Sequence, residues 1–169
     1  KKGGIKVHTN IHANEFVPSD IKFTSAATND SFMLMPSNYN DGDIIAMDRA
    51  YIDYARFEEL TNRGVTYVTK MKKNLVYDTL SDTMYMLPCS LMECRVQVVE
   101  FRKHIKGGEN IKHKARIVTY VDPAKKKAKV ISLLTNDMTM EVEDIIDIYR
   151  QRWEIELLLK QLKQKFPLK

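Results

Sequence analysis

Tyr149, Arg152, Glu156 and Lys163 stand in the order Tyr149-x2-Arg152-x3-Glu156-x6-Lys163 near the end of a chain of 169 residues. At about 100° per residue these four, together with Lys160, fall within an arc of about 80° on one helix. Ile148, Ile155, Leu159 and Leu162 flank the stripe on one side, with Leu158 beyond them, and Ile146, Trp153 and Leu157 flank it on the other. A solvent face has no apolar shoulders, so the helix is expected to present its charges into a cleft at the edge of the core. A second carboxylate, Asp48, directly follows the short apolar run Ile44-Ile45-Ala46-Met47. An open α/β sheet holds its ligand groups just beyond the carboxyl ends of strands. Carboxylates are the donors that hard divalent cations take, and guanidinium and ammonium groups are phosphate binders. The plainer account of the stripe is helix electrostatics, since an exposed Arg152–Glu156 pair at i,i+4 contributes only about 0.3–0.5 kcal/mol.

The elements that must position these groups follow from periodicity. Ile5, Val7 and Ile11 alternate with polar residues, as in a half-exposed strand after Gly3-Gly4. Asp30 and Ser31 can cap a short apolar helix over Phe32-Met33-Leu34-Met35 that Pro36 ends, and Asp41-Gly42-Asp43 reads as a turn. Ile44–Met47 suits a strand buried on both faces. The apolar spacing of Ile52, Ala55, Phe57 and Leu60 predicts a helix from Tyr51 to Asn62 with Gly64 as its cap, and Val65–Thr69 then completes a βαβ unit. From Lys70 to about Ile131, alternating runs such as Arg95–Phe101 and Ala115–Val121 predict a β-meander inserted into the α/β frame. Lys125-Lys126-Lys127 reads as a solvated hairpin turn. Val130–Leu134 returns to a strand, and cap chemistry at Thr135-Asn136-Asp137 or Thr139 predicts a helix from about Met140 to Phe166. The expected divisions are 1–69, 70–131 and 132–169.

Composition narrows the function. Hydrophobic residues make up 44% and charged residues 29%, as in ordinary globular chains, so disordered and fibrous classes are excluded. The longest apolar runs fall far short of the roughly 20 residues that cross a bilayer. Lys and Arg exceed Asp and Glu by 27 to 22, a net +5 that favours polyanionic partners. Cys89 and Cys94 have no second pair at zinc-ligand spacing, which points to reduced thiols. His8 and His12 share a strand face about 13 Å apart, too far for one ion. Trp153 reads as core rather than as a base-stacking platform, Asp53, Glu58 and Glu59 read as ordinary helix charges, and Lys70, Lys72 and Lys73 either touch DNA or solvate a strand end.

The Tyr149-Arg152-Glu156-Lys163 spacing resembles the Y-R-E-K signature of bacterial insertion-sequence transposases of the DDE superfamily. Four specified residues at fixed spacing arise by chance on the order of once per thousand chains of this length. Ile45–Asp53 resembles the segment that carries the family's second catalytic aspartate, Lys2–His8 the stretch after the first, and Leu133–Asn136 with Tyr149–Glu156 the approach to the third acidic residue. The resemblance implies an α/β, ribonuclease-H-like catalytic core, here lacking its first strand, with an inserted β-rich subdomain. It implies that Asp48 and Glu156 are catalytic metal ligands, that the metal is magnesium (Mg2+) or manganese (Mn2+), and that Tyr149, Arg152 and Lys163 bind DNA near the cleavage site. Two divalent ions about 3.5–4 Å apart aid in-line attack on a phosphodiester, and an oxygen-rich site suits magnesium. The partners implied are double-stranded DNA, both transposon ends and target, and a second copy in a homodimer on paired ends, in the bacterial cytoplasm at the nucleoid and without a membrane. The family's first catalytic aspartate is expected on a strand before Lys1; Asp20 and Asp30 are not candidates for it. The chain therefore reads as an excised fragment with two of three carboxylates and little or no catalysis of its own. The competing function is a non-catalytic DNA-binding relic of a transposase, and a third is a protein-interaction module whose acidic pair is accidental.

Overall fold

The computed structural model describes residues 5–12, 17–25, 34–122 and 128–165, without the side chains of 5–12, 17–25, 159, 162 and 163. Of the short helix expected over Phe32–Met35, residues 32 and 33 and the caps at 30 and 31 fall outside the described residues, as does the lysine run 125–127, while Leu34 and Met35 are not helical. Strands β1 (Ile5–His12) and β2 (Val17–Ser25) form an antiparallel hairpin, with an irregularity at Asn10/Ile11. The alternation at Ile5, Val7 and Ile11 is thus a strand, but its partner strand had no comparable signal.

The main sheet has six strands, in the spatial order β3 (Ile44–Met47), β4 (Thr66–Lys70), β8 (Lys129–Thr135), β7 (Ile111–Asp122), β6 (Glu93–Lys103) and β5 (Asp78–Met86). Strand β3 (Ile44–Met47) runs parallel to β4 (Thr66–Lys70), with helix α1 (Tyr54–Asn62) between them in sequence, as expected of a βαβ unit. Strands β5 (Asp78–Met86), β6 (Glu93–Lys103), β7 (Ile111–Asp122) and β8 (Lys129–Thr135) are antiparallel neighbours. Because β8 pairs with β7 on one side and β4 on the other, the meander continues the same sheet as the βαβ unit. Helix α2 spans Val142–Lys165.

Period-2 alternation explains how one sheet carries two cores. Tyr67, Ile117 and Leu134 point to the α1 side, where they pack with Phe57 and Leu60, while Val68, Val118 and Leu133 point to the α2 side and pack with Val142, Ile145 and Ile146. Strands β4, β7 and β8 therefore support both helices.

Three local expectations differ from the structure. Strand β3 is an edge strand among the described residues, so Ile44 is 52% exposed instead of buried on both faces. Pro36 opens a 3-10 turn over Pro36–Asn38 rather than ending a helix, because its fixed φ suits a first helical position. Helix α1 starts at Tyr54, since Asp48 first caps a 3-10 turn over Arg49–Tyr51 and Asp53 then accepts from Ala55 N and Arg56 N. At its other end Gly64 has φ +72°, and a Cβ there would meet the Asp41 carboxylate, so the turn requires glycine. No described helix is long and apolar enough to cross a membrane.

Candidate active-site cleft

Two asparagine and aspartate side chains set the launch point of α2. Asn136, just past β8, accepts from Tyr67 N (2.9 Å) and donates to Val65 O and Thr61 Oγ1 (both 2.9 Å), tying the end of β8 to the start of β4 and to α1. Asp137 then accepts from Met140 N (2.7 Å) and Thr139 N (2.9 Å), turning the chain into the helix. These donors outweigh the effect of partial burial and hold the Asp137 carboxyl below its usual range. From Val142 the helix climbs about 21 Å, at 1.5 Å per residue, to Glu156.

Asp48 waits at the carboxyl end of β3. Its Oδ1 accepts from Ala50 N (2.8 Å), which leaves Oδ2 facing the helix. Arg152 Nη2 donates to Asp48 Oδ2 (3.4 Å) and to Glu156 Oε1 (2.6 Å), so a single guanidinium nitrogen touches both carboxylates. The arginine side chain is only 16% exposed, against 46% for Asp48 and 39% for Glu156, so the cation is held while both acids remain open to solvent. Met47, Arg49, Lys70, Tyr149 and Trp153 complete the lining. Burial first, and the Glu156 and Asp48 carboxylates after it, raise the Tyr149 hydroxyl above its ordinary range despite Arg152, so it stays a proton donor at neutral pH.

Of the residues singled out from the sequence, Asp48, Tyr149, Arg152 and Glu156 thus meet in one cleft, although 104 positions separate Asp48 from Arg152. The side chain of Lys163 lies outside the described residues. Trp153 is not core: it is 44% exposed and lines the cleft, because the helix rises past the sheet at this level. Lys70 joins the lining because β4 runs parallel to β3 and ends at the same edge, a placement the βαβ pattern could have signalled. Arg49 had no separate signal beyond its place after Asp48. Glu58, read as an ordinary helix charge, instead accepts from Nδ1 of the buried His113. Cys89 is exposed and Cys94 buried, both as free thiols.

The donor chemistry suits a hard divalent ion. Asp48 and Glu156 offer oxygen only, the donors a hard divalent ion takes, and Arg152 balances both of them here. Among the described residues no group of three His, Cys, Asp or Glu side chains gathers here or elsewhere.

A mixed α/β sheet with an acidic pair at a strand's carboxyl end, faced by a Tyr-Arg-Glu helix, is the setting in which the sequence comparisons take their meaning. The chain matches the family described as "Transposase DDE domain" over residues 1–169 and belongs to it. Relatives include a probable transposase for insertion sequence element IS5377 of Geobacillus stearothermophilus, 23% identical over 97% of this chain and 42% of that protein. The putative transposase y4zB of Sinorhizobium fredii is 22% identical over 98% of this chain and 46% of its own length. A putative transposase for insertion sequence element IS4SA of Synechocystis is 27% identical over 76% of this chain and 33% of that protein. The chain thus spans less than half the length of these relatives.

Proposed function

We propose that the cleft is part of a metal-dependent phosphoryl-transfer site, and that the complete protein is a DDE-type transposase that cuts DNA at transposon ends and joins them to target DNA. The observation that carries this reading is the convergence of Asp48, at the carboxyl end of β3, and Glu156, on α2, on one solvent-open cleft. Asp48 and Glu156 are the residues that would hold magnesium or manganese. Such an ion, when bound, supplies charge neutralisation at the phosphate and activation of the attacking oxygen. Arg152 offers a planar fork suited to a phosphate, Tyr149 a protonated hydroxyl, and Lys163 a point charge. Lys70 and Arg49 extend the positive rim.

The mixed α/β architecture is compatible with a ribonuclease-H-like core, and we read 1–69 and 132–169 as that core and 70–131 as a β-rich insertion. The DDE reading needs a third carboxylate, and none joins Asp48 and Glu156 among the described residues, so this stretch alone is expected to have little or no activity. The complete protein acts as a homodimer on paired ends in the bacterial cytoplasm. One observation favours a second reading, a DNA-binding relic: Arg152 already neutralises the acidic pair without any ion. The deciding experiment is magnesium- or manganese-dependent cleavage of transposon-end DNA by the complete protein and its Asp48→Ala and Glu156→Ala variants. Cleavage lost in both folded variants supports the enzyme; undiminished cleavage by either variant removes that carboxylate from the site. A parent that binds the ends and never cuts them establishes the relic.

A further inference from the structure

Residues 102–116 carry six cations, Arg102, Lys103, Lys106, Lys112, Lys114 and Arg116, against the single carboxylate Glu109. Their net +5 equals that of the whole chain. They form the far end of the β6–β7 hairpin, whose strands outreach β8: β7 pairs with β6 from Ile111 onward but with β8 only from Arg116 onward. The arm therefore projects beyond the sheet on its β8 side, and its two faces differ.

On the α1 side Phe101, His113 and Ala115 are fully buried against the helix. On the other face, by the period of two, lie Glu100, Arg102, Lys112 and Lys114. Arg102 bonds Glu100 (2.9 Å) and pairs with Asp78 (3.3 Å), so its charge is balanced. Lys112 and Lys114 are exposed and form no salt bridge among the described residues, although Lys112 stands directly opposite Arg102 across the ladder. Lys114 stands opposite Glu100, but that carboxylate is already taken by Arg102, so neither lysine has an acid of its own across the ladder. Lys106 adds an exposed cation at the tip, while Arg116 is engaged by Met140 O.

The same face of β7 continues through Val118 to Tyr120, which packs in the α2-side core that Tyr149 borders. Lys112 lies eight residues from Tyr120 along β7, roughly 27 Å at about 3.4 Å per residue. That is the rise of about eight base pairs of duplex DNA.

We infer that the uncovered face of the β6–β7 arm, centred on Lys112 and Lys114, is a contact for the phosphate backbone of double-stranded DNA, separate from the Asp48–Glu156 cleft. The inference rests on the reading of the protein as a DNA transposase. It makes the arm a sequence-independent positioning surface that holds a duplex by charge alone, at the opposite end of β7 from Tyr120.

The test is binding of a fluorescent duplex of about 20 base pairs to this chain, followed by anisotropy from about 50 to 200 mM salt. In Lys112→Gln/Lys114→Gln, affinity at the lower salt is expected to fall about tenfold and the slope of log affinity against log salt to flatten by about 1.8, two phosphate contacts' worth. Arg63→Gln/Arg95→Gln removes the same charge elsewhere and is expected to keep the parental slope. Lys112→Arg/Lys114→Arg is expected to bind as the parent does, which separates lost charge from lost folding. Lys112→Cys bearing a photoactivated cross-linker is expected to attach to the duplex. If the parent binds but the lysine pair can be removed without effect, if the distant pair matters equally, or if no cross-link forms, the arm is not the contact and the DNA reading stands. Failure of the parent to bind any duplex at low salt overturns the arm together with that reading.

Discussion

Two clusters of ionisable groups occupy opposite sides of the same sheet, and each centres on a nitrogen-bearing side chain between two oxygens. On the α1 side, His113 Nδ1–H donates to Glu58, and Tyr67 Oη donates to His113 Nε2 (2.5 Å). His113 and Tyr67 are fully buried. At the strand ends, Arg152 joins Asp48 and Glu156 where both acids reach solvent. Burial settles what each can do. The desolvated His113 ring is pushed below the ordinary histidine range, Glu58 notwithstanding, so it is neutral with both nitrogens satisfied. Tyr67, raised well above its ordinary range first by burial and then by Glu58, keeps its proton for that bond. Such a network cannot exchange partners without leaving a buried polar atom unpaired, so it serves the fold. The Arg152 network can open, because water can receive both carboxylates.

The largest effect that would sharpen this contrast is on activity. In the complete protein, Asp48→Ala or Glu156→Ala is expected to lower end cleavage by at least about 10³-fold, equivalent to about 4 kcal/mol at the transition state, with little change in melting temperature. Next, His113→Ala is expected to cost about 3 kcal/mol of stability, read from the urea midpoint, since it opens a cavity and orphans the Tyr67 hydroxyl. In the complete protein its end cleavage per folded molecule should match the parent's; a folded variant that cut poorly would dissolve the distinction between the two clusters.

A smaller effect follows from pH. A histidine whose folded-state value lies below the unfolded 6.5 takes up protons more readily when unfolded, so its contribution is complete above about pH 6.5 and declines as the pH falls below it. Melting temperature measured from pH 7 down to pH 5 is expected to fall, and His113→Phe is expected to flatten that part of the profile even if it starts lower. Smallest of all, Arg152→Gln is expected to change stability by less than about 1 kcal/mol in urea unfolding, because both partners resolvate. A loss as large as that of His113→Ala would show the cleft to be as structural as the buried cluster.

Much of the site was legible because its signals are local. The Tyr149, Arg152 and Glu156 spacing depends only on the helical period, and Asp48 only on a short apolar run before it. The same locality hid the Glu58–His113–Tyr67 network: a glutamate on an amphipathic helix and a histidine within an alternating strand each look ordinary until β7 is laid against α1. It also misplaced Trp153, whose apolar type suggests core but whose height on α2 lifts it past the sheet. Strand β3 read as doubly buried from its unbroken Ile44–Met47 run, yet burial depends on neighbours that the run does not name.

What the sequence determined by itself is therefore the type of the longer periodic elements, the family, and which side chains share a helix face, since periodicity, capping and turn chemistry act over a few residues. Only the tertiary structure decided that Asp48 meets Arg152 across 104 positions, that His113 is sealed beneath α1, and that Lys112 and Lys114 stand uncovered on a projecting arm. These outcomes depend on which surfaces the folded chain removes from water, and that is set by strand order and packing among distant segments.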